Sequence, residues 1–263
     1  MAVHDGTSEA QSQIIALFVA DVHLQAQMPA TTAAFLDFLS RHGRHAQQLY
    51  LLGDLFEYWA GDDDIDAPFN HRIVAALKSV SEAGTRLFWI AGNRDFLVGN
   101  GFGAAIGATL LQDGTVIDIA GQRIVLAHGD ALCTDDVDYI KFRDQVRQPA
   151  WQQQFLAMPL RQRKALIDNL RVQSRAAVEG KHGGIMDVNP IAVAALFGQH
   201  ATRLMIHGHT HRPATHVTTN AGEEALIRYV LPDWDCETTP PRGGWLGVSE
   251  AGEICRFGLA DLR

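Results

Sequence analysis

Residues 14–23 read IIALFVADVH, an apolar run that ends in Asp21, Val22 and His23. A continuous apolar run of this length is typical of a strand that is buried on both faces, as in the sheets of α/β proteins. The two polar side chains stand at the carboxyl end of the predicted strand, which is where open α/β sheets place their binding sites. The stretch therefore predicts a central strand with a functional site at its end.

Four further stretches repeat this arrangement of an apolar run followed by polar side chains. They are QLYLL before Gly53-Asp54, RLFWIA before Gly92-Asn93-Arg94-Asp95, RIVLA before His128-Gly129-Asp130, and RLMI before His207-Gly208-His209-Thr210-His211. Because the carboxyl ends of parallel strands meet at one edge of a sheet, we expect the five polar clusters to line a single crevice.

Predicted strands and helices alternate along most of the chain. The strands are expected over 14–20, 48–52, 86–91, 115–119, 123–127, 203–206, 225–230 and 245–248, and the helices over 31–41 and 70–81. This alternation predicts an α/β fold with layered, mixed sheets. We expect one domain over 14–263, preceded by a loose polar tail over 1–13.

The stretch from about residue 137 to residue 182 departs from that alternation, because its pattern is helical throughout. Trp151 and Phe155 form an i,i+4 pair, and Pro149 and Pro159 are expected to divide the stretch into short helices. The sequence therefore predicts a helical cap inserted into the α/β domain.

The charge of this predicted cap also differs from that of the remaining chain. The cap contains nine Lys or Arg residues and four Asp or Glu residues, whereas the whole chain has a net charge of −8. A basic and apolar cap on an acidic body predicts an anionic, partly apolar partner. A helical hairpin with a solvated basic face would account for the same composition.

The polar clusters supply carboxylate, amide and imidazole donors but no thiolate, a set that suits Mn²⁺, Mg²⁺, Fe²⁺ or Zn²⁺. In an extended segment, Asp21 and His23 would share one face, and so would His209 and His211. Seven donors exceed what one tetrahedral ion needs and predict two ions. Two ions about 4 Å apart need a bridging carboxylate to relieve their repulsion.

The composition excludes several classes of protein. With 263 residues, of which 47% are hydrophobic and 20% charged, the chain matches an ordinary globular protein. No apolar run approaches the roughly 18 residues of a membrane span, and residues 1–13 do not resemble a secretory signal. The negative charge predicts no nucleic-acid partner. Cys133, Cys236 and Cys255 form no CxxC pair, which favours a reducing cytoplasm.

The ordered set of motifs resembles the calcineurin-like metallophosphoesterase family over about residues 14–215. The motifs are D-x-H at 21–23, G-D at 53–54, G-N-x-D at 92–95, H-G-D at 128–130 and G-H-x-H at 208–211. The resemblance is closer to the branch that acts on UDP-2,3-diacylglucosamine in lipid A biosynthesis. It rests on GDLFEYWAGDDD (53–64), GNRDFL (92–97), HGDALCTDD (128–136), IMDVN (185–189) and HGHTHRP (207–213). The family resemblance implies a layered α-β-β-α sandwich of mixed sheets with an inserted helical cap.

The same resemblance implies two Mn²⁺ ions held by seven side chains. These are Asp21, His23 and His211 for one ion, Asn93, His128 and His209 for the other, and Asp54 as the bridge.

The resemblance also implies which residues act on the substrate. The implied catalytic residues are Asp54, Asn93, Arg94 and His128, and the implied substrate contacts are Asn93, Arg94, Asp136, Ser174, Lys181 and His209. Val178 stands where the family usually has Asn. His207 is not a family ligand, and we expect it to pack or to hydrogen-bond with a neighbour.

Arg94 is the most informative departure from the wider family, which often has His at that position to protonate an alkoxide leaving group. An arginine stays charged at neutral pH and donates protons poorly, but it can hold phosphate oxygens bidentately. A phosphate leaving group has its second pKa near about 6 and departs without an acid catalyst. Arg94 therefore favours cleavage of a phosphoric anhydride, with a structural ion pair as its alternative role.

We therefore expect hydrolysis of the diphosphate bond of UDP-2,3-diacylglucosamine to 2,3-diacylglucosamine 1-phosphate (lipid X) and UMP, by a hydroxide that two metal ions activate. The partners of this reaction would be the UDP-linked diacylated glucosamine lipid and the cytoplasmic leaflet of the inner membrane, with the protein peripheral to it. Apolar cap residues could contact the acyl chains; the candidates are Phe142, Val146, Trp151, Phe155, Leu156, Met158, Leu166, Leu170 and Val172.

Two alternatives stay open at this point. One is a metallophosphoesterase that acts on a soluble nucleotide, such as a dinucleoside polyphosphate or a cyclic nucleotide. The other is a non-catalytic scaffold with the same fold, although all seven expected ligand positions are filled.

Overall fold

A computed structural model of the chain describes residues 13–179, 187–219 and 224–262, with the backbone alone over 171–179. The strands are β1 (Ile14–Val19), β2 (Gln48–Leu51), β3 (Arg86–Ile90), β4 (Ala108–Leu111), β5 (Thr115–Ile119), β6 (Gln122–Leu126), β7 (Leu204–His207), β8 (Thr215–Thr218), β9 (Leu226–Val230), β10 (Gly244–Ser249) and β11 (Ile254–Gly258). The α-helices are α1 (Pro29–Arg41), α2 (Pro68–Glu82), α3 (Asn100–Ile106), α4 (Val137–Val146), α5 (Pro149–Leu156), α6 (Leu160–Glu179) and α7 (Pro190–His200).

The strands form two mixed sheets. The first has the order β11-β10-β1-β2-β3-β4. Strands β1 to β4 run parallel to one another, β10 is antiparallel to β1, and β11 is antiparallel to β10. The second has the order β5-β6-β7-β9-β8, with a parallel centre and an antiparallel strand at each edge. Mixed sheets are therefore confirmed.

Alternation of side chains along the strands builds the layers. Leu17 of β1 packs in a core with helices α1, α2 and α3, whereas the next residue, Phe18, faces the other way and packs in a core with Leu126 of the second sheet. On the far side of the second sheet, Val125 packs with Phe197 of α7. Successive residues of a strand point to opposite faces, so each sheet buries both faces. The result is the α-β-β-α order that the family resemblance implied.

The strands and helices that were predicted are present within one or two residues at most ends, but five elements were not predicted. These are α3, β4, α7, β8 and β11. Helix α3 has the sequence NGFGAAI, whose glycines are poor helix formers, and all four residues of β8 are exposed, so that no apolar alternation marks it. Tertiary contacts, and not local sequence pattern, therefore determine the secondary structure of α3 and β8.

The predicted cap contains α4, α5 and α6. Pro149 begins α5 and Pro159 directly precedes α6, as expected. The expectation of short helices is wrong for α6, which has 20 residues, because neither Pro nor Gly interrupts it. Phe155 of α5 is buried in the same core as α1, α2 and α3, and Trp151 packs against that core. The cap helices therefore share the hydrophobic core of the body.

Candidate metal centre

The seven predicted ligands stand in loops that follow five parallel strands. Asp21 and His23 follow β1, Asp54 follows β2, Asn93 follows β3, His128 follows β6, and His209 and His211 follow β7. Because β1, β2 and β3 are neighbours in one sheet and β6 and β7 are neighbours in the other, the loops meet at the carboxyl edges of both sheets.

One cluster consists of Asp21, His23 and His211, whose donor atoms all lie within 4.8 Å of one another. The Nε2 atoms of His23 and His211 are 3.2 Å apart, and His211 Nε2 is 3.6 Å from Asp21 Oδ1. The three side chains therefore converge on one position.

A second cluster consists of Asp54, His128 and His209, again with donor atoms within 4.8 Å of one another. The side-chain oxygen of Asn93 lies 2.9 Å from His128 Nε2 and 2.9 Å from His209 Nδ1. Asn93 thus completes a set of four around this second position.

Asp54 lies between the two clusters. Its Oδ1 is 3.7 Å from His128 Nε2, and its Oδ2 is 4.0 Å from His23 Nε2 in the other cluster. A carboxylate whose two oxygens face two different ligand sets has the arrangement of a bridge.

The backbone at these positions differs from the extended segments that were predicted. Asp21, His23, Asp54, His209 and His211 all have positive φ, between 51° and 69°. His209 and His211 belong to different clusters, which is the division that the family resemblance implied. Non-glycine residues adopt this region at a cost, and such conformations concentrate at functional sites.

Asp95 ties two of these loops together, a role that the sequence did not predict although the residue is part of the G-N-x-D motif. Its buried carboxylate accepts hydrogen bonds from the backbone N–H groups of Leu55 at 2.9 Å, Gly92 at 2.8 Å and Asp54 at 3.2 Å. Burial and the nearby Asp54 carboxylate raise the pKa of Asp95 to about 6. At Gly92 a Cβ would lie 2.1 Å from Asp54 Oδ1, so only glycine allows this close approach.

Second partners orient the histidine rings. His23 Nδ1 lies 3.0 Å from Glu57 Oε2, and His128 Nδ1 lies 2.9 Å from the carbonyl oxygen of Leu52. A ring that donates its Nδ1–H to such an acceptor presents an unprotonated Nε2 to a metal. Glu57 therefore orients the ring of a predicted ligand, a role that motif spacing alone did not indicate.

The donor set suits divalent cations, and a buried oxygen supports the fit. Asp21 Oδ2 accepts a hydrogen bond from the backbone N–H of His209 at 2.8 Å, whereas Asp21 Oδ1 is buried without a hydrogen-bond partner among the described residues. An unpaired buried carboxylate oxygen is costly unless a cation or donor meets it. Burial opposes ionisation of Asp21, but the adjacent His211 ring, with its Nε2 3.6 Å from Oδ1, and the charges of His128 and His23 lower the pKa of Asp21 to about 2.

His207 stands in neither cluster, as predicted. It is fully buried, and its Nε2 is 2.9 Å from a guanidinium nitrogen of Arg228. Burial and the charge of Arg228 lower the pKa of His207 to about 3, so the ring is neutral at physiological pH.

The implied substrate contacts are described to different extents. Arg94 donates its backbone N–H to Asp54 Oδ1 at 2.7 Å, and its side-chain Nε is buried without a hydrogen-bond partner in the described ranges. Asp136 is the N-cap of α4 and accepts the backbone N–H of Tyr139 at 3.2 Å. Ser174 and Val178 fall in the part of α6 whose side chains are not described, and Lys181 lies outside the described residues.

Four basic side chains of the cap are paired with the body. They are Arg143 with Asp130 at 2.8 Å, Arg147 with the carbonyl oxygen of Gly92 at 2.9 Å, Arg163 with Asp63, and Lys164 with Asp64 at 2.7 Å. The expectation that basic cap residues face an anionic partner is therefore wrong for these four, because acidic and carbonyl groups of the body engage them.

Large apolar side chains remain exposed on the cap, with between 40% and 57% of their surface accessible. They are Val137, Phe142, Leu156, Leu166 and Leu170. Among the candidates for acyl-chain contacts, Val146 and Phe155 are buried in cores instead, and Val172 has no described side chain. No helix of the described residues has both the length and the apolarity that a membrane crossing needs.

Comparison with known proteins agrees with this geometry. The family model for calcineurin-like phosphoesterases matches residues 16–213. The UDP-2,3-diacylglucosamine hydrolase of Chromohalobacter salexigens is 48% identical over 229 residues, covering 87% of this chain and 90% of that protein. The protein of the same name from Serratia proteamaculans is 47% identical over 242 residues, covering 92% and 98%.

Solved structures share the fold. A dimetal phosphatase from Danio rerio matches with a TM-score of 0.50 and 13% identity, covering 94% of this chain and 97% of that chain. From the family match and the identity to its curated relatives, this chain belongs to the calcineurin-like phosphoesterase family.

Proposed function

We propose that this protein hydrolyses the diphosphate bond of UDP-2,3-diacylglucosamine, releasing 2,3-diacylglucosamine 1-phosphate and UMP in lipid A biosynthesis. One observation carries the proposal. Two cation-ligand clusters face each other across Asp54 in a chain that is 47–50% identical to curated UDP-2,3-diacylglucosamine hydrolases over most of its length.

Two divalent cations, for which we propose Mn²⁺, would be held by the six side chains of the two clusters and by Asn93. Asp54 would bridge the cations, and the unpaired Oδ1 of Asp21 supports a cation beside it. When bound, such a pair lowers the pKa of a water and stabilises the charge that develops on phosphate oxygens.

The chain's own residues then bind and orient the diphosphate. We assign Arg94 to the phosphate oxygens, because its Nε is buried without a partner in the described ranges and its backbone N–H holds Asp54 in place. A guanidinium can bind phosphate through two parallel hydrogen bonds but is a poor acid. A phosphate leaving group needs no acid at neutral pH, so Arg94 suits an anhydride.

The cap would supply the specificity for lipid. Leu166 and Leu170 are four residues apart on α6 and both exposed, so they lie on one face of the helix. Burial of acyl chains against such residues contributes roughly 0.8 kcal/mol per CH₂. We therefore place the protein in the cytoplasm as a peripheral protein of the inner membrane, with Asp136, Ser174, Lys181 and His209 as further substrate contacts.

The test is a hydrolysis assay of the purified protein with UDP-2,3-diacylglucosamine in mixed micelles, with UMP and the lipid phosphate measured separately. We expect both products in equal amounts, loss of turnover with a chelator, and recovery with added Mn²⁺. Comparing Mg²⁺ and Zn²⁺ at equal concentration tests the choice of Mn²⁺.

Soluble substrates provide the matched comparison. A dinucleoside polyphosphate or a cyclic nucleotide that reaches the kcat/KM of the lipid would replace the proposed substrate. If the protein binds metal yet turns over none of these compounds, the scaffold alternative is correct.

A further inference from the structure

The first histidine of the HGHTH motif is not explained by the metal clusters. His207 ends β7 and is fully buried. Both of its ring nitrogens have partners: Nε2 lies 2.9 Å from Arg228 of β9, and Nδ1 lies 2.8 Å from the carbonyl oxygen of Gly208. A buried histidine with two directed partners beside two candidate ligands suggests a role beyond packing.

The partners determine the tautomer of the ring. A guanidinium has only donors, so His207 Nε2 must accept from Arg228 and carries no proton. The ring proton is therefore on Nδ1, which donates to the carbonyl oxygen of Gly208. Arg228 thus converts His207 into an obligatory donor toward the turn that follows it.

The carbonyl that His207 holds belongs to the same peptide unit as the N–H of His209. That unit is planar and trans, so its C=O and N–H point in opposite directions. With its carbonyl held by His207 and by the N–H of Thr210 at 2.8 Å, the unit directs the His209 N–H to Asp21 Oδ2 at 2.8 Å. The other oxygen, Asp21 Oδ1, is left without a hydrogen-bond partner in the described ranges.

Close contacts surround this peptide unit. A Cβ at Gly208 would lie 2.2 Å from Asp21 Oδ2, and the N–H of Gly208 donates to the carbonyl oxygen of His128 at 2.8 Å. Rotation of the unit would break the hydrogen bond to Asp21 and move His209. The two residues belong to different cation clusters, so this one unit positions parts of both.

We propose that Arg228 and His207 are positioning residues that lock the Gly208–His209 peptide unit and thereby aim Asp21 and His209 at their cations. This inference rests on the proposed metal ligands. It assigns the HGHTH motif three separate tasks, with two histidines as ligands and the first as the support of the turn that carries them.

The test compares His207→Leu, which removes the donor, with His207→Asn, whose side-chain amide can replace Nδ1–H. Arg228→Leu, with Arg228→Lys as its conservative partner, provides a second pair in case His207→Leu does not fold. His45→Leu, at an exposed position, is the control for loss of a histidine. Isothermal titration with Mn²⁺ measures affinity, and hydrogen exchange of the metal-free protein measures protection of the His209 amide.

We expect Mn²⁺ affinity to fall about 10- to 100-fold in His207→Leu and Arg228→Leu, as for other residues that support metal ligands. The His209 amide should exchange at least about tenfold faster, and His207→Asn should recover most of both properties. Wild-type affinity and protection in both leucine variants would overturn this inference alone. Failure of the wild-type protein to bind Mn²⁺, Mg²⁺ or Zn²⁺ would overturn the proposed metal ligands, and the proposed function with them.

Discussion

The loops of the metal centre bury polar side chains, whereas the helices of the cap expose apolar ones. In the loops, the ionisable side chains of Asp21, Asp95 and His128 are fully buried. In the cap, Leu166 and Leu170 remain exposed although both are apolar. Buried carboxylates need donors or cations, whereas exposed apolar surface gains from an apolar partner. From this difference we expect the chemistry to belong to the loops and the recognition of lipid to belong to the cap.

Substitutions in the loops and on the cap should therefore have different effects on hydrolysis. A change in the loops should affect hydrolysis of every phosphate ester or anhydride that the protein accepts. A change on the exposed face of the cap should affect the lipid substrate and leave a small soluble substrate unchanged.

The largest effect is expected for Asp54→Ala, which removes the carboxylate between the two clusters. Turnover of lipid and soluble substrates should both fall by at least about 10³-fold, because the ligands act as one unit. Bound metal should fall as well, measured by elemental analysis, while circular dichroism stays that of the folded protein. Asp66→Ala, at a fully exposed carboxylate, is the control. Substantial activity in Asp54→Ala would contradict the bridging role.

Arg94→Ala should come next, with kcat for the diphosphate lowered roughly 10²-fold through loss of charge stabilisation. Metal content should remain near that of the wild-type protein, because the backbone N–H that holds Asp54 is kept. Arg44→Ala, on the exposed surface, controls for loss of a positive charge. If Arg94→Ala loses its metals instead, Arg94 supports the ligands and does not bind phosphate.

Arg163→Met tests how the cap is held on the body. Arg163 is buried, donates its Nε–H to the carbonyl oxygen of Met158 at 2.9 Å, and pairs with Asp63. Removing these charge-assisted hydrogen bonds should lower the free energy of unfolding by about 1–3 kcal/mol, measured by urea titration. Arg161→Met, an exposed neighbour on the same helix, should change it by less than about 0.5 kcal/mol.

The stability loss in Arg163→Met should also depend on pH. The hydrogen bond from Arg163 is the main cause that lowers the pKa of Asp63 below its unfolded value of 3.8. A carboxylate with a lowered folded pKa stabilises the protein above its unfolded pKa and loses that contribution as the pH falls through the folded value. The difference in free energy of unfolding between the wild-type protein and Arg163→Met should therefore become smaller below about pH 4. The change should be slight, because Asp63 is largely exposed.

The smallest effect is expected for the paired change Leu166→Ser with Leu170→Ser. We expect KM for the lipid in micelles to rise about tenfold, with kcat/KM for a soluble substrate unchanged. Ile191→Ser removes a side chain that is more exposed but lies outside the cap, and it should leave both constants unchanged. An equal loss of kcat/KM on the lipid and on the soluble substrate would show that these leucines support the fold and do not contact the lipid.

Much of this architecture could be predicted from local pattern. Apolar runs that end in Asp, Asn or His predicted the strands and the edge where the ligands meet, because parallel strands share the direction of their carboxyl ends. The pairing of Asp54 with Asp95 could not be predicted, since it depends on a hydrogen-bond network across two loops. The charge of the cap did not show which of its basic residues face a partner, because composition does not show which of them pair with acidic groups of the body.

The sequence by itself determined which chemical groups are available and that they follow parallel strands, because side-chain chemistry and strand periodicity are local properties. The family resemblance implied which histidine joins which cluster, but only the tertiary structure brings this division about, through left-handed backbone at Asp21, His23, Asp54, His209 and His211. Such conformations are unfavourable in an isolated segment. They persist here because packing and hydrogen bonds from distant parts of the chain, such as that from His209 to Asp21, hold them in place.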